Sequence, residues 1–271
     1  MHIESATAIE LAAVEHCLAR VEADDPLSIP VDFDPADRAR ALVAVADDAV
    51  IGVGWRRHFD GAATIEVRVR PDHRRQGVGA SLYAALAASE VPLFANCDAA
   101  QRSVRRFLET RGFDVLGVVF LQRWDGALDD VPQAFRTARL ERPADAAAAH
   151  ALLETASAGT WPPPLFSRER LIDKTTRIRV ARLDDHPVGL IAARLIDDAW
   201  TVGGLAVLPA VRGRGIGRGL LVDLMRQAAA EGMGVMVRAG HTDERLLNWT
   251  RALGFWTCRS FVCYRRPADR A

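Results

Sequence analysis

The second half of the chain repeats the first. Pro71, Arg74, Gly77 and Gly79 stand 138 residues before Pro209, Arg212, Gly215 and Gly217. The apolar positions that follow keep this spacing: Val78, Leu82, Tyr83, Leu86 and Ala87 match Ile216, Leu220, Leu221, Leu224 and Met225. Apolar residues at every third or fourth position mark one face of a helix. Upstream, Val67 and Val69 match Leu205 and Val207 in strand-like runs. Downstream, RGF at 111–113 matches LGF at 253–255 with a spacing of 142, so a four-residue insertion lies between the two landmarks. The period is too long for a solenoid repeat. Two α/β domains are expected, at 1–128 and 134–271. The boundary falls in DGALDDVPQAF (125–135), which is acidic and holds a proline and a glycine.

Each half reads in the same order. A short strand near 2–5, or 136–140, precedes a helix at 7–21, or 143–157. Three strand-like runs follow, at 39–46, 49–57 and 63–70, matched by 177–183, 187–196 and 199–207. Then come a glycine-rich loop with its helix, a strand at 91–95 or 233–239, a second helix at 101–111 or 242–253, and a final strand pair.

Composition removes several function classes. The formal net charge is zero, so the electrostatic footprint of a nucleic-acid binder is missing. Lys174 is the only lysine and lies in IDKTT with no glycine loop, which excludes a P-loop. The four cysteines, Cys17, Cys97, Cys258 and Cys263, include no CxxC pair, so zinc and thioredoxin-type sites are not expected, and neither is any other metal site. Reduced, mostly buried thiols in a cytoplasmic protein are expected instead. The opening MHIESATAIELAAVEH carries acids and no long apolar run, so neither a signal peptide nor a membrane partner is expected.

A strand, a proline, a basic loop with closely spaced glycines and then a helix make an anion-binding architecture. The first N–H groups of a helix lack helical partners, and the helix dipole favours negative charge there. Glycine lets a phosphate approach the backbone closely, and arginine adds charge-assisted hydrogen bonds. A dinucleotide fingerprint fails: Gly213 and Gly215 are spaced correctly, but the third glycine position is Arg218. The pattern that both halves share is R-x-x-G-x-G.

On this pattern the chain resembles the GCN5-related N-acetyltransferases (GNAT). In that family R/Q-x-x-G-x-G/A follows the fourth strand and binds the pyrophosphate of acetyl-CoA. Arg74, Arg75, Gln76, Gly77, Val78, Gly79 and Ala80 match it, as do Arg212, Gly213, Arg214, Gly215, Ile216, Gly217 and Arg218. The flanking VRPDHRRQGVG and VLPAVRGRGIG, and the helix-plus-GF endings FLETRGF and NWTRALGF, extend the resemblance over nearly the whole chain. It implies an α/β (α+β) chain of two tandem acetyltransferase-type domains, each a mixed, mostly antiparallel twisted sheet flanked by helices. It also implies a pantetheine arm lying along the fourth strand, at Val67 and Val69 or at Leu205, Ala206 and Val207. Asn248, near the start of the following helix, joins the coenzyme-binding set.

The implied activity is direct transfer of the acetyl group of acetyl-CoA to a primary amine of a small molecule. A backbone N–H of the fourth strand would stabilise the oxyanion, and a base would take a proton from the acceptor ammonium. The family's usual tyrosine acid stands five residues before the GF phenylalanine, where this chain has Leu108 and Thr250. Thr250 could still hold a water. Of the two tyrosines, Tyr83 lies on the apolar face of its helix and reads as core, while Tyr264 in the last strand is a candidate acid. Glu66 is a candidate base or an ion partner in TIEVRVR, where alternation sets Glu66, Arg68 and Arg70 apart from Ile65, Val67 and Val69; its counterpart is Gly204. His241 is a second candidate base, because an imidazole titrates near neutrality. Asp243 reads as a helix cap. The tandem arrangement is distantly similar to that of the mycothiol synthases, which commonly pair a catalytic C-terminal half with a mainly structural N-terminal one. The C-terminal half, with its stiff stretch GTWPPPLFSRERLIDKT (159–175) around Trp161, is therefore the expected catalytic half. A non-catalytic acyl-CoA-binding protein with two degenerate halves is the alternative.

Overall fold

A computed structural model describes residues 1–24, 35–59, 61–88, 90–127, 129, 139–141, 146–157 and 176–268. The stretch 159–175 lies outside the described residues. So do residues 130–135 at the expected boundary.

The first repeat runs β1 (His2–Ser5), α1 (Leu11–Asp24), β2 (Ala41–Ala46), β3 (Ala49–Phe59), β4 (Ala62–Val69), α2 (Val78–Ala87), β5 (Leu93–Asp98), α3 (Arg102–Glu109) and β6 (Asp114–Trp124). The second runs β7 (Arg139–Glu141), α4 (Ala146–Ser157), β8 (Thr176–Leu183), β9 (His186–Ile196), β10 (Ala199–Val207), α5 (Ile216–Ala230), β11 (Gly234–Gly240), α6 (Glu244–Ala252) and β12 (Trp256–Arg266). Each repeat ends in one long strand, not the expected pair.

The compact units are not the repeats. One comprises residues 1–118 with 260–271, the other residues 119–259. The last strand of each repeat explains the difference from the expected 1–128 and 134–271. β12 pairs antiparallel with β5, from Phe261↔Asp98 to Arg266↔Leu93. β6 pairs antiparallel with β11, from Val235↔Trp124 to Gly240↔Val119. Each unit thus completes its sheet with the final strand of the other repeat. Both sheets are mostly antiparallel, with a single parallel pair, β4–β5 in one and β10–β11 in the other.

The duplicated sequence produces duplicated local structure. The β2–β3 and β8–β9 hairpins turn on Asp47-Asp48 and Asp184-Asp185, all four at positive φ, which short polar side chains tolerate best after glycine. In the second unit, Ile216, Leu220, Leu221, Leu224 and Met225 of α5 bury one face against Ile191, Val202, Val235 and Val237. The opposite face of that sheet is covered by Leu152, Leu153 and Ala156 of α4, packed on Val180, Leu190 and Ala206. In the first unit α1 covers Val43, Val53 and Trp55, while α2 packs its Leu82 on Ile51 and its Tyr83 and Leu86 beside Ile65 and Ala95. Among the described residues no helix is long and apolar enough to cross a membrane.

Candidate functional site

Each unit opens a cleft where its parallel strands part. In the second unit β10 and β11 pair only at Ala199↔Gly234, Trp200↔Val235 and Thr201↔Met236. Beyond Thr201, β10 continues to Val207 against β9 alone. At the parting, the β10–β9 register skips between Val202 and Gly204, so Gly203 is a bulged residue. A bulge takes one residue off the ladder and re-aims its backbone groups. Gly203 lines the cleft. In the first unit β4 and β5 pair at Ala63↔Leu93 and Thr64↔Phe94 and then part. Here β4 stays in continuous register with β3 from Phe59↔Ala62 to Gly52↔Val69, with no bulge. The clefts have volumes of 1220 Å³ and 1180 Å³, so size does not tell them apart.

A glycine loop closes the mouth of each cleft. Gly77 and Gly215 cap α2 and α5 in the left-handed region, at φ 87° and 78°. A Cβ at either would meet nothing within 4 Å, so the space before the helix is open. The position two residues earlier is also left-handed in both loops, held by Gly213 in one and by Arg75 in the other. Gly79 and Gly217 differ: their φ is ordinary, and a Cβ would make only a van der Waals contact of 3.5 Å with Val69 or Val207. Neither backbone nor packing demands glycine there; a missing Cβ leaves room for a ligand to approach the backbone closely. Gly219 N–H bonds Gly215 O at 2.8 Å and Ser81 N–H bonds Gly77 O at 3.0 Å, so the N–H groups before them lie outside the helical ladder. These cradles fit a diphosphate.

The arginines divide their roles. Arg74 Nε donates to Val69 O and Arg212 Nε to Val207 O, both at 3.0 Å. Arg212 Nη2 also reaches Ala156 O of α4 at 2.9 Å. The first arginine of each motif therefore fastens the loop to its strand while also lining the cleft, and the sequence reading did not foresee the fastening. Gln76 likewise holds Asp72 O, at 3.1 Å. Val78 and Ile216 are buried in the core, so they offer the cleft only backbone. Arg75, Gly77, Gly79, Ala80, Val67 and Val69 line the first cleft. Leu205, Ala206, Val207, Gly213, Gly215, Gly217, Arg218 and Asn248 line the second, while Arg214 is exposed on the same loop. Arg245, missed in the sequence, also lines it, and its Nη2 is 4.0 Å from where a Gly213 Cβ would stand. Its signal was only a basic residue in the first turn of α6.

The candidate acids and bases are dispersed. Glu66 lines the first cleft and pairs with Arg68 at 3.0 Å. Tyr264 is fully buried in the first unit, where its hydroxyl donates to Glu109 Oε1 at 3.0 Å and accepts from Arg105 Nε at 3.3 Å. Burial raises its pKa, Arg105 opposes the rise and Glu109 adds to it. It lines neither cleft: β12 carries it into the first unit's sheet, where it is fully buried. His241 is exposed on the turn after β11, between the cleft-lining Gly240 and Thr242. Thr250 is fully buried, with Oγ1 at 2.6 Å from Gln122 Oε1 and 2.7 Å from Leu246 O. One hydroxyl proton cannot serve both acceptors; with the Gln122 amide turned over, its NH2 donates to Thr250, which donates to Leu246 O. No donor is left for a water in the cleft. Tyr83 is buried and its hydroxyl accepts from Arg266 at 2.6 Å, although its ring edges the first cleft. Asp243 caps α6 through Leu246 N–H at 3.0 Å, as its position suggested. None of the four cysteines is in a disulfide, and burial pushes Cys17 up to about 11 and Cys97 up to about 12, which holds both neutral.

Comparison with known proteins agrees with this geometry. The acetyltransferase (GNAT) family profile matches residues 146–255, and an acetyltransferase (GNAT) domain profile matches residues 37–115. A tandem GNAT protein from the clavulanic acid biosynthesis pathway has a similar fold, with a TM-score of 0.70, 16% identity and full coverage of both chains. A GCN5-related N-acetyltransferase from Sphaerobacter thermophilus gives a TM-score of 0.68 at 19% identity, covering 96% of this chain and 93% of that one. An acetyltransferase of the GNAT family from Colwellia psychrerythraea gives 0.63 at 15% identity, covering 98% and 100%. A search of curated proteins finds no match. Both repeats carry the family's profile, its parted strands and its glycine loop, and the chain is a tandem member of the GNAT acetyltransferase family.

Proposed function

We propose that the second unit transfers the acetyl group of acetyl-CoA to a primary amine of a small molecule. Membership of the family supports acyl transfer from an acyl-CoA; the acetyl group, the amine and the choice of unit are our reading. The observation that carries it is the Gly203 bulge, present in β10 and missing from β4. A bulge re-aims a backbone N–H at the parting of the strands, where an oxyanion would form. Such a donor contributes on the order of 3–4 kcal/mol to a transition state.

Bound acetyl-CoA supplies an activated thioester, whose C–S bond breaks as the amine nitrogen forms the C–N bond; the thiolate leaves with its electron pair and the acceptor's proton balances it. The chain's own contributions are positional. The start of α5, with Arg218 and Arg245, holds the phosphates. Leu205, Ala206 and Val207 offer an unpaired strand edge to the pantetheine amides. His241, on the turn beside the cleft, is the candidate for taking the acceptor's proton through water, and no side chain is assigned as acid.

The experiment is acetyl-CoA turnover with a panel of amines, reading thiol release and acetylated product together. Equal release of both is expected. Binding of acetyl-CoA without product would instead favour a protein that holds acyl-CoA, a reading prompted by Leu108 and the buried Thr250 where a tyrosine acid would stand.

A further inference from the structure

We propose that the acceptor of the second cleft is an amino acid-type amine, and that Arg238 binds its carboxylate. The inference rests on the reading of the second unit as the transferase and names the substrate class of that site.

The two faces of β11 do different work. Val235 and Val237 are buried against α5 in the main core of the unit. Met236, Arg238 and Gly240 alternate with them and face the other side, toward α4. The glycine loop and the start of α5 stand on the core side, so coenzyme phosphates engage there. An acceptor then has the α4 side for its approach. Counting along both strands from Thr201↔Met236, and past the bulged Gly203, sets Gly204 opposite Arg238 across the opening. Gly204 faces α4 too, since a Cβ there would meet Leu153 Cδ1 at 3.1 Å.

The wall on this side is apolar and small: Leu153 and Ala156 from α4, Gly204 and Ala206 from β10. Arg238 is the one charged side chain that α4, β10 and β11 contribute to the cleft among the described residues. It is half-buried. A guanidinium has five N–H donors in a planar fork, more than a single partner takes, and the fork matches a carboxylate. The corresponding residue of the first unit, counted at the downstream spacing of 142, is the neutral Asn96. A cation one residue beyond the bulge, in an otherwise apolar wall, selects an acceptor whose anionic group lies a bond or two from its amine.

The test compares matched pairs, each an amino acid and the amine left by its decarboxylation, with acetyl-CoA as donor. Phenylalanine with phenethylamine and leucine with isoamylamine are suitable. The expected result is a kcat/KM at least about tenfold higher for the amino acid. In Arg238→Gln the preference disappears through a raised KM, and Arg238→Lys recovers part of it. Melting temperature and acetyl-CoA affinity report whether the variants keep their fold and coenzyme site. Equal or faster turnover of the decarboxylated amines by the natural protein overturns this proposal and leaves the transferase reading intact. A preference that survives in folded Arg238→Gln also overturns it. Failure to acetylate any amine overturns both.

Discussion

The two clefts share their strands, loops and nearly their volume, yet they differ along the strand that a coenzyme would follow. Both keep the glycine-loop end, with a left-handed glycine before the helix and an arginine fastening the loop. They diverge at the reacting end. β10 has the Gly203 bulge, and its next two residues facing α4 are Gly204 and Ala206. β4 has no bulge, and the matching positions are Glu66 and Arg68, joined as an ion pair. A ladder that stays regular re-aims no backbone group at the parting, and two long side chains stand where two small ones leave room. Duplication therefore kept the glycine cradle twice, while the bulge and the small residues beside it are found in one copy.

The largest effect is expected from removing the bulge. Deleting Gly203 gives β10 the regular register of β4 and should lower kcat by roughly 10²–10³-fold while the affinity for acetyl-CoA changes little. A kcat within a few-fold of the natural protein would show that the bulge is not the oxyanion donor. Next in size is Thr250→Val, which strands the buried amide of Gln122. The second unit should lose about 1–3 kcal/mol in denaturant unfolding, with kcat held within about twofold. A collapse of kcat in a folded variant would mean that the hydroxyl serves catalysis after all. Tyr264→Phe should weaken the first unit by about 1 kcal/mol and leave turnover alone, because its hydroxyl bridges Glu109 and Arg105 there. A lost basic limb in the pH profile would instead make it the acid.

The smallest effect is electrostatic. Arg177, hydrogen-bonded to Glu231, holds that carboxyl below its usual range; burial opposes this and Trp200 reinforces it. A depressed pKa stabilises the fold above the unfolded value, and the contribution is lost as pH falls through the depressed one. The Glu231 side chain is 43% exposed, so solvent screens the gain to well under about 1 kcal/mol. Glu231→Gln should flatten the acid-side fall in the second unit's melting temperature slightly, and an unchanged slope would remove Glu231 from the account.

What the sequence made legible was local. Glycine spacing, arginines and helical periodicity act within a few residues, so both loops and the faces of α2 and α5 could be read directly. The bulge was legible in principle. The paired aspartate turns are 137 residues apart and the glycine loops 138, so one residue is added between them, and the structure finds it at Gly203. The destination of the last strands was not legible. β6 and β12 carry similar apolar patterns, and nothing local states which sheet edge each will join. Tyr264 therefore read as a candidate acid and is found buried in the first unit. Arg74 and Arg212 show a related limit: a cation in an anion-binding loop looks like a ligand group, and the carbonyl that it also holds is visible only in the fold.

The central claim, that the second cleft turns over the coenzyme, is tested most directly by Gly215→Val against Gly77→Val. Both glycines lie at positive φ with open space before them, so the same substitution strains the two loops alike. Acetyl transfer by the two folded variants then reports which cleft acts. The account expects a loss on the order of 100-fold or more for Gly215→Val and turnover close to natural for Gly77→Val. The reverse pattern would contradict it and move the chemistry to the first unit.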